Sequence, residues 1–576
     1  MSARRSAARR GSAARGRSAL LVAIALLLFP VPISAQSRTV RGALAHVDPE
    51  RIRAHIEFLS SDLLEGRGIG TRGGALAAEY IAGQFLQTGL RPLRGTWFHT
   101  VPLSGWRADT SRTRITVGAP DANVVRLGAG EGALLWPGAA RADAVASGEL
   151  VFVGYGTRAP EYGWDDYKRD VRGRIVIVLA GDPPAPPGSA DLFDGDALTY
   201  YGRWTYKLEE AARQGAAAVL LVHTPELAGY DWQVVRGGWG GEVVSLREDS
   251  SRVLPALAGW LRSDAATRLL EAAALDFPQL FVRAARRDFE PVFTGVEIRM
   301  EAAGQLRALA SPNVAALLPG QHPQRRSEVV VYTAHHDALG IGAPVDGDSI
   351  YNGAYDNAAG VALLLELAET FAALPEPPDR SILFLATAAE EAGLLGARHY
   401  TRHPLVPLER TVAAINLEGA NLWGETDDVS GIGIERSTLG PLLQRAAADA
   451  GLRATPERAP AQGFFFRSDQ FPFARAGVPA ILLDHGISYR RRPPDWGAGK
   501  LAAFLARSYH TPFDVMPEPG DLRGAVQQVR VAFLLGHDLA TRADRPRYYD
   551  DLPPLPPPPA IRSEPAATLP PDDQGS

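Results

Sequence analysis

Three rhythms of hydrophobic and polar positions run along this chain. Between Arg51 and Leu90 the pattern is helical: Ala75-Leu-Ala-Ala-Glu-Tyr-Ile-Ala-Gly-Gln-Phe-Leu86 places its apolar residues on one face, and a Gly-rich turn separates it from an earlier helix. From about Gly148 the pattern changes to short β-rich runs, Glu149-Leu-Val-Phe-Val153, Arg174-Ile-Val-Ile-Val-Leu179 and Ala217-Ala-Val-Leu-Leu-Val222, with a helix predicted over Tyr206 to Gln214. This stretch, to about Arg287, reads as a separate α/β module. From Ser311 a third pattern begins, with fully apolar strands Glu328-Val-Val-Val-Tyr332, Ser381-Ile-Leu-Phe-Leu385, Thr411-Val-Ala-Ala-Ile415 and Val478-Pro-Ala-Ile-Leu-Leu483 separated by helical segments. Strands apolar at every position must be covered on both faces, so the prediction is an α/β fold: a mostly parallel, mixed sheet with helices on both sides.

Polar residues cluster where these strands end. His335 and Asp337 follow the first strand, Glu390 and Glu391 the second, and Glu418 the third; Asp356 opens a helix in Tyr355-Asp-Asn-Ala-Ala-Gly360. Open α/β sheets bind ligands beyond the carboxyl ends of their strands, so these side chains are expected to converge on one crevice. A later run, Tyr509-His-Thr-Pro-Phe-Asp514, adds His510. Taken singly, a His-x-Asp triplet or a Glu-Glu pair is weak, because such residues usually mark a solvated surface. Glu390-Glu391 differs, because it follows the apolar or small run Ile382 to Ala388. So many buried carboxylates need compensating cations. Two divalent metals held by two histidines, two terminal carboxylates and a bridging carboxylate suit zinc, which takes nitrogen and oxygen ligands.

Composition narrows the class. With 576 residues, 46% hydrophobic and 22% charged, the chain is an ordinary folded protein too long for one core. A net charge of −5 and no basic block beyond the N-terminus exclude a nucleic-acid surface. Arg4, Arg5, Arg9, Arg10, Arg15 and Arg17 precede the apolar run Ala19 to Phe29, and Ser34-Ala35 offers a cleavage site before Gln36. Residues 1–35 are therefore expected to be a signal peptide, and the protein to be exported to a bacterial periplasm or exterior, without stable membrane insertion afterwards. There are no cysteines, so any metal must be held by imidazole and carboxylate groups. The Pro-rich end, residues 546–576, is expected to form an extended or disordered tail.

Together these motifs resemble a family, the co-catalytic zinc exopeptidases that include bacterial leucyl aminopeptidases and glutamate carboxypeptidases. Leu59-Ser-Ser-Asp-Leu-Leu-Glu-Gly-Arg67 with Gly70-Thr-Arg-Gly-Gly74 looks like the family's N-terminal segment, and Ser311 to about Asp538 like its metal-binding core. The middle, with Val153-Gly-Tyr-Gly-Thr157 and Tyr206 to Gly215, is similar to the protease-associated insert of many members. The implied organisation is an N-terminal part over 36–140, an insert over 141–290 and a zinc peptidase core over 291–545. Carried over by position, the resemblance implies that His335 and Glu418 hold one zinc, Glu391 and His510 a second, and Asp356 bridges them. Glu390 would be the general base, Asp337 would orient His335, and Tyr509 would help stabilise an oxyanion. At position 418 the family more often carries aspartate, so the longer Glu418 is a departure that keeps the ligand class.

Other residues read less specifically. His336 is expected to be a cleft wall or a satisfied side chain. Ser468-Asp469 lines the cleft by resemblance, or caps a helix. Trp164 and Trp204 are expected to pack. The implied activity is removal of terminal residues from peptide substrates, by an aminopeptidase ahead of a carboxypeptidase, whose substrate carboxylate would need a cation such as Arg467 or Arg475. A single-zinc cyclase of N-terminal glutamine and a non-catalytic binding protein are the rivals.

Overall fold

A computed structural model describes residues 35–117, 125–128, 132–184, 192–195, 197–228, 231–251, 254–550, 552 and 555. All of the expected signal peptide but Ala35, and most of the Pro-rich tail, lie outside them. Among the described residues, no helix is long and apolar enough to cross a membrane.

The four apolar runs are strands, Val329–His335, Ser381–Thr387, Thr411–Leu417 and Ala480–His485, and they lie parallel at the centre of one sheet. Antiparallel strands extend both flanks, with Phe98–Ala108 and Val292–Leu318 on one side and Asp428–Ile432 on the other. The alternation of strand side chains explains the uninterrupted apolarity. Val330, Tyr332 and Ala334 pack with helices Gly360–Ala372 and Arg523–Thr541 on one face. Val329 and Val331 face helices Leu395–Arg402 and Gln470–Arg475 on the other.

A second sheet gathers around parallel strands Ile175–Leu179, Ala218–His223 and Leu257–Arg262. It starts earlier in the chain than residue 141. Ala133–Pro137 pairs with Leu257–Arg262, and Arg114–Val117 pairs with Val292–Leu318, so residues within the expected N-terminal part, 36–140, belong to the second sheet. The helix expected at Tyr206 to Gln214 runs from Trp204 to Arg213.

One strand ties the two sheets together. Val292–Leu318 pairs through its first half with Asp143–Phe152 of the second sheet and through its second half with Phe98–Ala108 and Ser381–Thr387 of the first. The module also covers part of the first sheet: Trp164, Phe193, Tyr200, Tyr201 and Tyr206 share a core with Leu383, Leu385 and Leu482. Its position over the strand ends is therefore fixed by packing and by shared backbone pairing.

At the heart of the first sheet, Phe384 is 0% exposed, stacks with Tyr332 and meets Phe371 edge to face. Removing such a ring leaves a cavity that neighbouring strands cannot close. Phe384→Ala is expected to cost about 3–5 kcal/mol, read as a fall in the urea midpoint. An unchanged midpoint would contradict this packing.

Candidate metal centre

The side chains singled out at the strand ends meet. Asp356 sits between two histidines: Oδ1 is 3.2 Å from His335 Nε2 and Oδ2 is 3.3 Å from His510 Nε2. Beside His510, its Nε2 lies 3.2 Å from Glu391 Oε2. Beside His335, ligand atoms of Glu390 and Glu418 lie within 4.8 Å of its own and of one another. The two oxygens of one carboxylate thus lie between two imidazoles, with Glu390 and Glu418 beside His335 and Glu391 within reach of both histidines.

Local backbone sets these directions. Asp356 stands in an irregular turn, Ala354–Ala359, just before helix Gly360–Ala372, at φ −111° and ψ 89°, outside helical values. Asn357 fixes that turn: its Oδ1 accepts from the N–H groups of Gly360 and Gly419, both at 2.9 Å, and its Nδ2 donates to Leu417 O at 3.1 Å. The turn is thereby tied to the loop carrying Glu418. Ala389, just before Glu390, and His510 are both left-handed at φ 56°, a conformation that costs a non-glycine residue energy and persists only under strong constraint.

Asp337 supplies one constraint. Its Oδ1 accepts from Glu390 N at 3.1 Å and its Oδ2 from Glu391 N at 3.3 Å, while His335 Nδ1 lies 3.2 Å from Asp337 O. One residue therefore orients a histidine and the backbone of both glutamates. Asp514 plays the matching part across the site, accepting from Tyr355 N and Asp356 N at 2.9 Å each.

Arg67 joins the N-terminal segment to this scaffold. Its buried guanidinium donates to His336 O at 2.9 Å, Asn352 O at 2.7 Å, Gly353 O at 2.8 Å and Leu59 O. Burial drives its pKa down to about 10, against the pull of Asp514, Asp337, Asp356 and Glu391. The close approach of this segment explains Gly66, which is left-handed at φ 66°: a Cβ there would meet Gly340 O at 2.6 Å. Sequence reasoning did not assign roles to Arg67, Asn357 or Asp514, although each lies in a quoted motif.

The electrostatics call for cations. Burial pushes Glu390 well up, Glu418 and Asp337 to about 7, and Asp469 to about 6. Burial opposes charge on His335, but Glu390 and Asp356 outweigh it and hold the imidazole well above its usual range. His335 Nε2 and Glu418 Oε2 are buried without a hydrogen-bond partner. Imidazole nitrogens and carboxylate oxygens in two adjoining sets, with orphaned donor atoms aimed inward, fit divalent zinc.

The remaining candidates divide. Tyr509 lines the cleft, stacks on His510 with ring centroids 3.9 Å apart, and is 3.3 Å from Arg467 Nη2. His336 is fully buried and donates from Nε2 to Pro312 O at 2.9 Å, so it is no cleft wall. Ser468 and Asp469 do not line the cleft: Ser468 Oγ accepts from Asn416 at 2.6 Å, Asp469 accepts from Thr387, and Asp469 stands at the N-cap of the following helix without a side-chain capping bond. Trp164 packs in the core, whereas Trp204 lines the cleft beside the loop carrying Glu390. Arg475 binds Glu209 at 2.7 Å and Tyr200 at 3.0 Å across the seam with the second module.

Fold and site define an α/β protein with a paired carboxylate–imidazole centre at the strand ends. Residues 313–530 match the model of Peptidase family M28, and this stretch of the chain is a domain of that family. Aminopeptidase NAALADL1 of Mus musculus is 27% identical over 237 residues, covering 38% of this chain and 30% of its own length. Aminopeptidase YwaD of Bacillus subtilis (strain 168) is 26% identical over 220 residues, covering 37% of this chain and 42% of its own. The chain thus spans less than half of either relative. The solved aminopeptidase from Aneurinibacillus sp. strain AM-1 shares the fold, with a TM-score of 0.50 at 20% identity over 88% of this chain and 97% of that one.

Partners that orient metal ligands typically change metal affinity by about 10–100-fold when altered. Arg67→Lys keeps the charge but cannot span the same carbonyls. It is expected to lower zinc affinity by about tenfold or more in equilibrium dialysis; wild-type affinity would remove Arg67 from the scaffold.

Proposed function

We propose that this protein is an exported, two-zinc aminopeptidase that removes residues from the free amino ends of peptides. The carrying observation is the carboxylate of Asp356 lying between His335 and His510, with Glu390 beside the first half-centre. In this reading His335 and Glu418 would hold one ion and His510 and Glu391 the other, with Asp356 shared between them. Zinc bound there would offset the buried carboxylates, polarise the scissile carbonyl and lower the pKa of water. Glu390 takes the proton from the attacking water and returns it to the leaving amine. Tyr509, at the cleft surface, donates to the developing oxyanion.

Two further observations support this choice. The cleft, about 1550 Å³, reaches from Glu390 and His510 to Trp136, Trp204 and Trp239 of the second module, room for a short peptide under a wall the module provides. A carboxypeptidase needs a cation for the terminal carboxylate. Arg475 is already engaged by Glu209 and Tyr200, which takes one of the two candidate cations away from a substrate carboxylate.

Three outcomes are expected. Glu390→Gln keeps the side chain's size but cannot accept the proton, so kcat falls by about 10²–10⁴-fold while bound zinc stays at the wild-type level. A variant keeping a third of wild-type kcat would show that Glu390 is not the base. Peptides with free amino ends are cleaved and their N-acetylated counterparts are not; equal turnover of both would overturn the aminopeptidase assignment. Finally, Glu418→Asp, which keeps a carboxylate, retains more zinc than Glu418→Ala, and equal loss from both would mean that Glu418 acts through its length.

A further inference from the structure

A second set of ligand-type side chains lies outside the cleft, at the seam between the two modules. Helix Leu395–Arg402 and the residue after it carry His399 and His403, one turn apart, with ring centroids 4.7 Å apart. Facing them, the turn Arg247–Ser251 of the second module presents Glu248. Glu248 Oε2 is 2.6 Å from His403 Nε2, and Glu248 Oε1 is 3.8 Å from His399 Nδ1. One nitrogen from each histidine and one oxygen of Glu248 lie within 4.8 Å of one another.

We propose that Glu248, His399 and His403 form a zinc site separate from the cleft, which pins the second module to the helix that follows the Glu390 loop. Two imidazoles and a carboxylate are a donor set zinc takes, with solvent as the fourth ligand. His399 Nδ1 is buried and makes no hydrogen bond, although its side chain is 9% exposed and points toward Glu248. An imidazole nitrogen left in that state costs free energy that a bound cation removes. The ring is held in place, since His99 stacks on it at 4.9 Å and is itself fixed by Asn313 at 3.3 Å.

The neighbouring charge is compatible with an ion. Arg402 Nη1 contacts Glu248 Oε1 at 2.7 Å, but it also lies 2.9 Å from Asp249 Oδ1, and Arg398 pairs with Asp249 at 2.6 Å. Arg402 therefore keeps a carboxylate when Glu248 turns to a metal. The His403 side chain is 53% exposed and gives the ion a route from solvent.

The test is equilibrium dialysis of the full chain against zinc chloride, followed by elemental analysis. With the cleft histidines removed by His335→Ala and His510→Ala, the protein is expected to retain one zinc per chain, which adding His403→Ala abolishes. In the otherwise wild-type chain His403→Ala lowers saturating zinc by one per chain, and Glu248→Gln weakens that ion by about tenfold or more. Because His403 is half exposed, its replacement leaves the fold intact, so this second comparison stands even if the cleft variant does not fold. No zinc on a folded cleft variant, or equal saturating zinc in wild type and His403→Ala, would overturn the site. Since the seam ion is counted separately from the cleft ions, its absence says nothing against the aminopeptidase reading.

Discussion

Charge balance in one buried crevice is the constraint on which this structure depends. Asp356, Glu390, Glu391 and Glu418 stand against His335 and His510 with little water to screen them. Without cations such a group must protonate or separate, because burying unpaired carboxylates costs several kcal/mol each. The surrounding fold spends its hydrogen bonds on keeping the group together: Asp337 holds the Glu390–Glu391 backbone, Asp514 holds the Asp356 turn, and Asn357 joins that turn to the Glu418 loop. The fold therefore holds these side chains together in advance of any bound cation.

The sheet makes this arrangement possible. Parallel strands bring their carboxyl ends to one edge, so residues distant in sequence become neighbours there. The long strand Val292–Leu318 then carries the second module to that edge, where its aromatic residues wall the cleft. The Glu390 loop, the helix behind it and the module's seam form one continuous path. Chemistry and substrate access are thus built on the same backbone.

Most of the centre was legible in the sequence, because each of its side chains follows an apolar strand or stands at a turn, and strand ends are marked by the abrupt change to polar residues. Arg67 was not, since its acceptors lie at His336, Asn352 and Gly353, far along the chain, and no local pattern announces a guanidinium buried on backbone carbonyls. His336 was half legible: its lack of a cleft role follows from a bond to Pro312 that only the fold brings near. The early strands of the second sheet were missed because they are short, and the change of rhythm near Gly148 masked them. The long strand was also obscured. It carries Gly295, Gly304 and Pro312, residue types that weaken strand pairing, yet it persists because different partners pair with successive parts of it. His399 sits on an ordinary amphipathic helix and His403 just beyond its end, and only the approach of Glu248 from another module makes them a set.

The most direct measurement is anomalous scattering at the zinc absorption edge from crystals of the zinc-loaded protein. Two peaks in the cleft, one on each side of the Asp356 carboxylate, with His335 and Glu418 around one and His510 and Glu391 around the other, are the predicted result. A single cleft peak at full occupancy, with either histidine turned away from it, would contradict the bridged pair.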